Sequence, residues 1–284
     1  MQTILYATDF SKSAANAGKL ALIIARAADA KLLVYNAYSI PVLDSTVPGS
    51  LYEELIDEKH KEVEDNLIRI CQKFTAERTV SGKQLYCEHF SEQGIAADKI
   101  SSVATGKQAD LIVTASRNEN SVLRFLGSTA LTIASKASCP VIAVPYSKVP
   151  ESIKHILLAI DFRKADMDAF DKVFSFAELF NAKVTLLHIS QNDKYEKGLQ
   201  KMEQFKQKVL GKYNSGNVSF EVISYKDEWS AIESYVSESK ADIISLVRHD
   251  IGIFEGLFHE SLIDMALNKS HLPLMILNEK FLSK

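Results

Sequence analysis

Ile4-Leu5-Tyr6-Ala7-Thr8-Asp9-Phe10 decides the reading of this chain, because it returns 152 residues later as Ile156-Leu157-Leu158-Ala159-Ile160-Asp161-Phe162. The same offset carries Ala30-Lys31-Leu32-Leu33 onto Ala182-Lys183-Val184-Thr185. Farther along, Ala109-Asp110-Leu111-Ile112 returns as Ala241-Asp242-Ile243-Ile244 at an offset of 132. Cys139-Pro140-Val141-Ile142 returns as Leu272-Pro273-Leu274-Met275 at an offset of 133. Self-similarity at fixed offsets marks a repeated structural unit. Two copies of one domain, the second about 20 residues shorter in its middle, account for all four matches. The boundaries that follow are 1–147 and 153–280, with a linker around Pro150.

Within each copy, short apolar runs alternate with amphipathic stretches. Continuous apolar runs of this length read as strands buried on both faces, as in a parallel sheet. In the first copy they cover 4–8, 30–37, 85–90, 111–114 and 141–144. Helical spacing covers the stretch after the N-cap candidate Ser11, then 52–78, 94–106 and 128–138, and Ser81-Gly82 breaks the long second helix. The second copy repeats the order, with strands at 156–160, 184–188, 219–224, 243–247 and 274–277. A β-α-β-α-β-α-β-α-β pattern implies a doubly wound parallel sheet with helices on both faces. The fold class is therefore α/β, as two tandem five-stranded domains.

The 284 residues, with 46% hydrophobic and 24% charged, fit two ordinary globular domains. A formal charge of −3, with no basic run, argues against nucleic acid or an anionic membrane as partner. No apolar run approaches the length of a membrane span, and the N-terminus has no basic region or cleavage site. Cys71, Cys87 and Cys139 are odd in number and form no CxxC pair. This argues against a disulfide framework and for a reducing compartment, so the expected location is cytoplasmic.

Ligands of open α/β sheets lie beyond the carboxyl ends of the strands. In the first copy Thr8-Asp9, Asn36-Ala37 and the stretch 114–129 reach that edge. In the second, Asp161, His188 and 246–261 reach it. The segments Ile4 to Ser11, Ala30 to Tyr35, Ala109 to Thr114, Leu126-Gly127-Ser128-Thr129-Ala130 and Ala137 to Pro145 together resemble the universal stress protein family, once per half. The resemblance implies a Rossmann-like sheet in the order 3-2-1-4-5. It also implies, in nucleotide-binding members, an Asp at the end of strand one facing the nucleoside and a Gly-x2-Gly-x9-Gly-[Ser/Thr] loop after strand four. Glycines let backbone approach phosphate, and a helix N-terminus favours anions.

The first copy keeps Asp9 and the loop's end at Gly127-Ser128-Thr129, but Ala115 and Asn118 stand at the leading glycine places. Eight residues rather than nine separate Asn118 from Gly127, and Glu119 adds negative charge. The candidate ligand residues are Thr8, Asp9, Ala37, Ala115, Arg117, Asn118, Gly127, Ser128 and Thr129, for ATP or AMP in the N-terminal domain only. In the second copy Val247 and Asp250 take the glycine places and His259-Glu260 replaces Gly-Ser, so no cofactor is expected there.

Each candidate has a structural alternative: Asp9, Asp161, Ser128 and Thr129 also suit helix caps, and Arg117 suits a solvated surface. Asp161, His188, Arg248, His249 and His259 gather at one edge as either a polar plug or a metal or acid–base site; no His-x3-His spacing supports a metal. The leading expectation is a non-catalytic stress-response binding or regulatory module. A nucleotide sensor or slow ATPase in the first domain is the alternative. The resemblance further implies that Val141 to Val144 pairs with Leu274 to Leu277 inside one chain, leaving a homodimer open and the protein partner unknown.

Overall fold

The structure, a computed structural model, describes residues 1–40, 49–116, 127–147, 149–190, 192–213, 216–224, 227–249 and 260–282. Each copy opens on a five-residue strand whose every side chain is buried, β1 (Thr3–Ala7) and, later, β6 (His155–Ala159). After β1 come α1 (Lys12–Ala28), β2 (Lys31–Tyr38), α2 (Gly49–Thr75), β3 (Cys87–Gln93), α3 (Ala96–Gly106), β4 (Leu111–Ala115), α4 (Gly127–Lys136) and β5 (Val141–Val144). After β6 come α5 (Ala165–Glu178), β7 (Lys183–Ser190), α6 (Tyr195–Lys212), β8 (Val218–Ser224), α7 (Glu228–Ser239), β9 (Ile243–Arg248), α8 (Glu260–Lys269), β10 (Leu274–Asn278) and a short α9 (Glu279–Leu282).

The strands form one ten-stranded sheet in the order β3-β2-β1-β4-β5-β10-β9-β6-β7-β8, which is 3-2-1-4-5 in each half. Neighbours within a half are parallel, and the halves join where β5 and β10 pair antiparallel, Ile142 opposite Met275. Alternate side chains supply two cores, one on each face of the sheet, and each core runs through both halves. Asn278 ties the halves further, its amide donating to the Ala134 and Ser135 carbonyls near the end of α4.

The repeat is also written in the backbone. Phe10 and Phe162 (φ 63° and 58°), Asp29 and Asn181 (51° and 51°), and Gln108 and Lys240 (51° and 54°) are left-handed at the same offsets as the sequence matches. Asp29 and Lys240 end α1 and α7 with left-handed caps, a common way to close a helix. The Phe pair is different, because a bulky residue at positive φ is strained. Both lie three residues past the end of strand one, where the chain turns into the helix.

Two expectations need correction. The long helix ends at Thr75 and β3 starts at Cys87, because residues 76–86 turn back on themselves through an Arg78–Gln84 bridge. Cys71 and Cys87 are paired as a disulfide, with Cα atoms 5.6 Å apart, although the odd cysteine count argued against one. Packing of α2 against β3 brings them together, a tertiary relation that sequence spacing does not encode. Among the described residues no helix is long and apolar enough to cross a membrane.

Candidate functional site

At the carboxyl end of β1, Thr8 is buried and pinned on three sides. Its N–H donates to the Tyr35 carbonyl (2.9 Å), its hydroxyl accepts the Phe10 N–H (3.0 Å), and its carbonyl accepts the Asn36 amide (2.7 Å). Asp9 is exposed next to this knot, and one carboxylate oxygen accepts the Ser11 N–H (3.0 Å). Ser11 is the N-cap of α1, its hydroxyl accepting from Ala14. Asp9 is therefore not the capping residue; its carboxylate closes a local turn just ahead of the cap.

Beside it, Ala37 lines a cavity of about 460 Å³ with Ser39, Ile40, Gln93, Gly94, Ile95 and Ala96, at the carboxyl ends of β2 and β3. Of the sequence candidates among the described residues, Ala37 alone lines this cavity. Gly94 at φ 150° turns the chain from β3 into α3 across its mouth. Asn36, which donates to Thr8, keeps its side-chain oxygen buried with no hydrogen-bond partner among the described residues. Ala115 ends β4 opposite Val144, and Thr129 lies half-buried in the first turn of α4. Gly127 and Ser128 belong to the same turn, their side chains outside the description; Arg117 and Asn118 lie outside the described residues. Sequence reading missed Gln93 and Gly94, and placed Asn36 at the ligand edge without naming it among the candidate ligand residues. The signal for Asn36 was present, a polar residue at the end of an otherwise apolar strand.

The second copy carries bulkier side chains at equivalent positions. His188 stands 152 residues after Asn36, and its Nδ1 lies 3.0 Å from the carbonyl of Ile160, 152 after Thr8. Burial holds the ring below its ordinary pKa, so it is neutral and Nδ1–H is the donor. Phe162 packs on this ring at 4.4 Å between centroids. α6 crosses so closely at Gly198 that a Cβ there would stand 3.2 Å from His188. Glu228 and buried Trp229 replace Ala96 and Ala97 at an offset of 132.

Charged groups crowd the same edge. Asp166 is fully buried at the start of α5; its Oδ2 accepts the Asp161 and Arg163 N–H groups (both 2.9 Å), and Oδ1 has no hydrogen-bond partner among the described residues. Burial pushes its carboxyl up to about 6 against those two bonds. His249 reaches both sides, 3.1 Å to Glu279 and 4.0 Å to Asp166. Glu228 is pushed up to about 7 by burial, with Asp161 and Asp227 adding to it. The arrangement can hold and share protons. Among the described residues no three His, Cys, Asp or Glu side chains converge as ligands for a metal ion.

Comparisons with known proteins agree with this doubled architecture. The model of the universal stress protein family matches twice, at residues 1–145 and 152–278. A Staphylococcus saprophyticus relative named for that family is 30% identical over 165 residues, covering 57% of this chain and 94% of its own. A universal stress protein of Thermus aquaticus is 33% identical over 144 residues, covering 50% of this chain and 98% of its own. A crystal structure of a universal stress protein from Archaeoglobus fulgidus superposes with a TM-score of 0.73 at 18% identity, covering 98% of both chains. The chain belongs to the universal stress protein family, in a tandem form that carries two family domains in one polypeptide.

Proposed function

We propose that the protein is a non-catalytic stress-response module of the cytoplasm in which the domain of residues 1–147 binds a nucleotide, ATP or AMP, and the domain of residues 153–280 is its sealed scaffold partner. One observation carries this reading: the contrast between the copies at the carboxyl ends of their strands. The first leaves a cavity of about 460 Å³ walled by Ala37, Gly94 and Ala96; the second carries Glu228 and Trp229 where the first has Ala96 and Ala97. Small residues beside a strand end leave room for a planar base, and Asp9 next to them suits the hydroxyls of a ribose. Thr8, Ala115, Gly127, Ser128 and Thr129 border the same edge, and Arg117 and Asn118 fall outside the described residues. A slow ATPase at the same place is the alternative; it requires turnover in addition to binding.

Calorimetric titration of the full chain with ATP and with AMP tests the proposal. Binding is expected for at least one of them, weakened by about tenfold or more (1.4 kcal/mol) in Asp9→Ala. Ala96→Glu, which imports the residue of the second copy, should weaken it at least as much. Absence of heat at millimolar ligand sinks the reading, and phosphate release during the titration would favour the ATPase.

A further inference from the structure

The contact between α2 and β3 carries two cysteines where the second copy has no need of sulfur. Cys87 opens β3 opposite Leu32; at the same register in the second half, Val218 opens β8 opposite Val184. Cys71 is the last buried residue of α2, as Val209 is of α6, and Val218 packs against the core that contains Val209. Valines therefore satisfy this contact, and the cysteines add a chemistry that packing does not require. Between them run residues 76–86, much longer than the 213–217 connection of the second copy. This segment supplies Thr79, Lys83, Gln84 and Tyr86 as one wall of a cavity of about 660 Å³ at the amino ends of β1 and β2, opposite Lys31 and Asp110.

We propose that Cys71 and Cys87 are a reversible thiol–disulfide pair that exchanges with small thiols and disulfides and clips the 76–86 wall in place when oxidised. Exposure sets the order of events. Cys87 is half-buried, whereas Cys71 is 6% exposed. The Cys87 thiolate attacks one sulfur of a small disulfide, forming a mixed disulfide and expelling one small thiolate. The Cys71 thiolate then attacks Cys87 Sγ, the protein disulfide forms, and the second small thiolate leaves. The two protons lost by the protein thiols end on the two released thiols, so two electrons pass from protein to reagent. Reduction reverses each step, as a reducing compartment would require. Cys139 is excluded by position, since it belongs to the core on the opposite face of the sheet from Cys71. Its thiol is also buried and pushed up to about 12, which leaves it inert.

The test uses the full chain in glutathione buffers of graded reduced-to-oxidised ratio, quenched by alkylation and mapped by peptide mass. Cys71 and Cys87 should lose alkylation together and be recovered as one cross-linked pair, with Cys139 alkylated only after unfolding. Trypsin nicking at Arg78 and Lys83 should be about tenfold faster in the reduced protein, because the closed ring no longer restrains the segment. The double variant Cys71→Val with Cys87→Val, which copies the second half, should fold and nick at the reduced rate in every buffer. Independent titration of the two thiols, a cross-link involving Cys139 or a second chain, or equal nicking in both redox states would overturn the proposal.

Discussion

Asn36 and His188 make the same bond with different chemistry. Each hangs from the second strand of its half and donates to the carbonyl at the end of the first, at 2.7 Å and 3.0 Å. The bond is thus a requirement of the fold, and what differs is the bulk placed in the site. His188→Asn should therefore keep most of its stability, while His188→Ala leaves the Ile160 carbonyl without this donor and costs about 1–3 kcal/mol. Urea denaturation of both variants decides it; equal losses would show that ring packing against Phe162, not the bond, matters. Asp166 gives a pH signature. Its folded carboxyl titrates at about 6, above the ordinary 3.8, so the folded state holds the proton more tightly. The resulting stability is full below about 3.8 and is lost as pH rises through 6, roughly 3 kcal/mol in all. Asp166→Asn has no such ionisation, so wild type should lose ground to it between pH 4 and pH 7; a constant difference would refute the assignment.

Among elements, the glycines of α1 and α6 separate packing from propensity. A Cβ at Gly18 would stand 2.9 Å from the ring of buried Tyr6, whose hydroxyl is fixed on the Ala14 carbonyl. Gly18→Ala gains about 1 kcal/mol of helix propensity but forces a tight contact costing about 1–3 kcal/mol, so a net loss is expected. Gly211, near the end of α6, meets nothing within 4 Å, and Gly211→Ala should stabilise by up to about 1 kcal/mol. Thermal melts of the two variants should shift in opposite directions. The elements themselves were legible because strands buried on both faces read as unbroken apolar runs, and α1 showed its cap at Ser11. The cavity was not, because part of its wall is made of what is small: Ala96 acquires meaning only against Glu228 in the aligned copy. The disulfide was illegible for another reason, since helix-to-strand register fixes it and spacing along the chain does not.

For the molecule as a whole, both cores pass through the β5–β10 seam, so the halves should unfold together. The single tryptophan, Trp229, lies buried in the second half and reports on it alone. Leu67→Ala, a cavity in the core of the first half, should cost about 2–5 kcal/mol and lower the Trp229 fluorescence midpoint as much as the circular-dichroism midpoint. An unmoved tryptophan transition would mean that the halves melt separately. The seam has one more effect. Because it is the sheet's sole antiparallel junction among the described strands, the chain runs one way through the first five strands and the other way through the last five. The carboxyl ends of the first half share a rim with the amino ends of the second. The cavity at the carboxyl ends of β2 and β3 thus lies on one rim and the cavity at the amino ends of β1 and β2 on the other, beside the carboxyl ends of the second half, so a partner approaching from one side meets one cavity without the other.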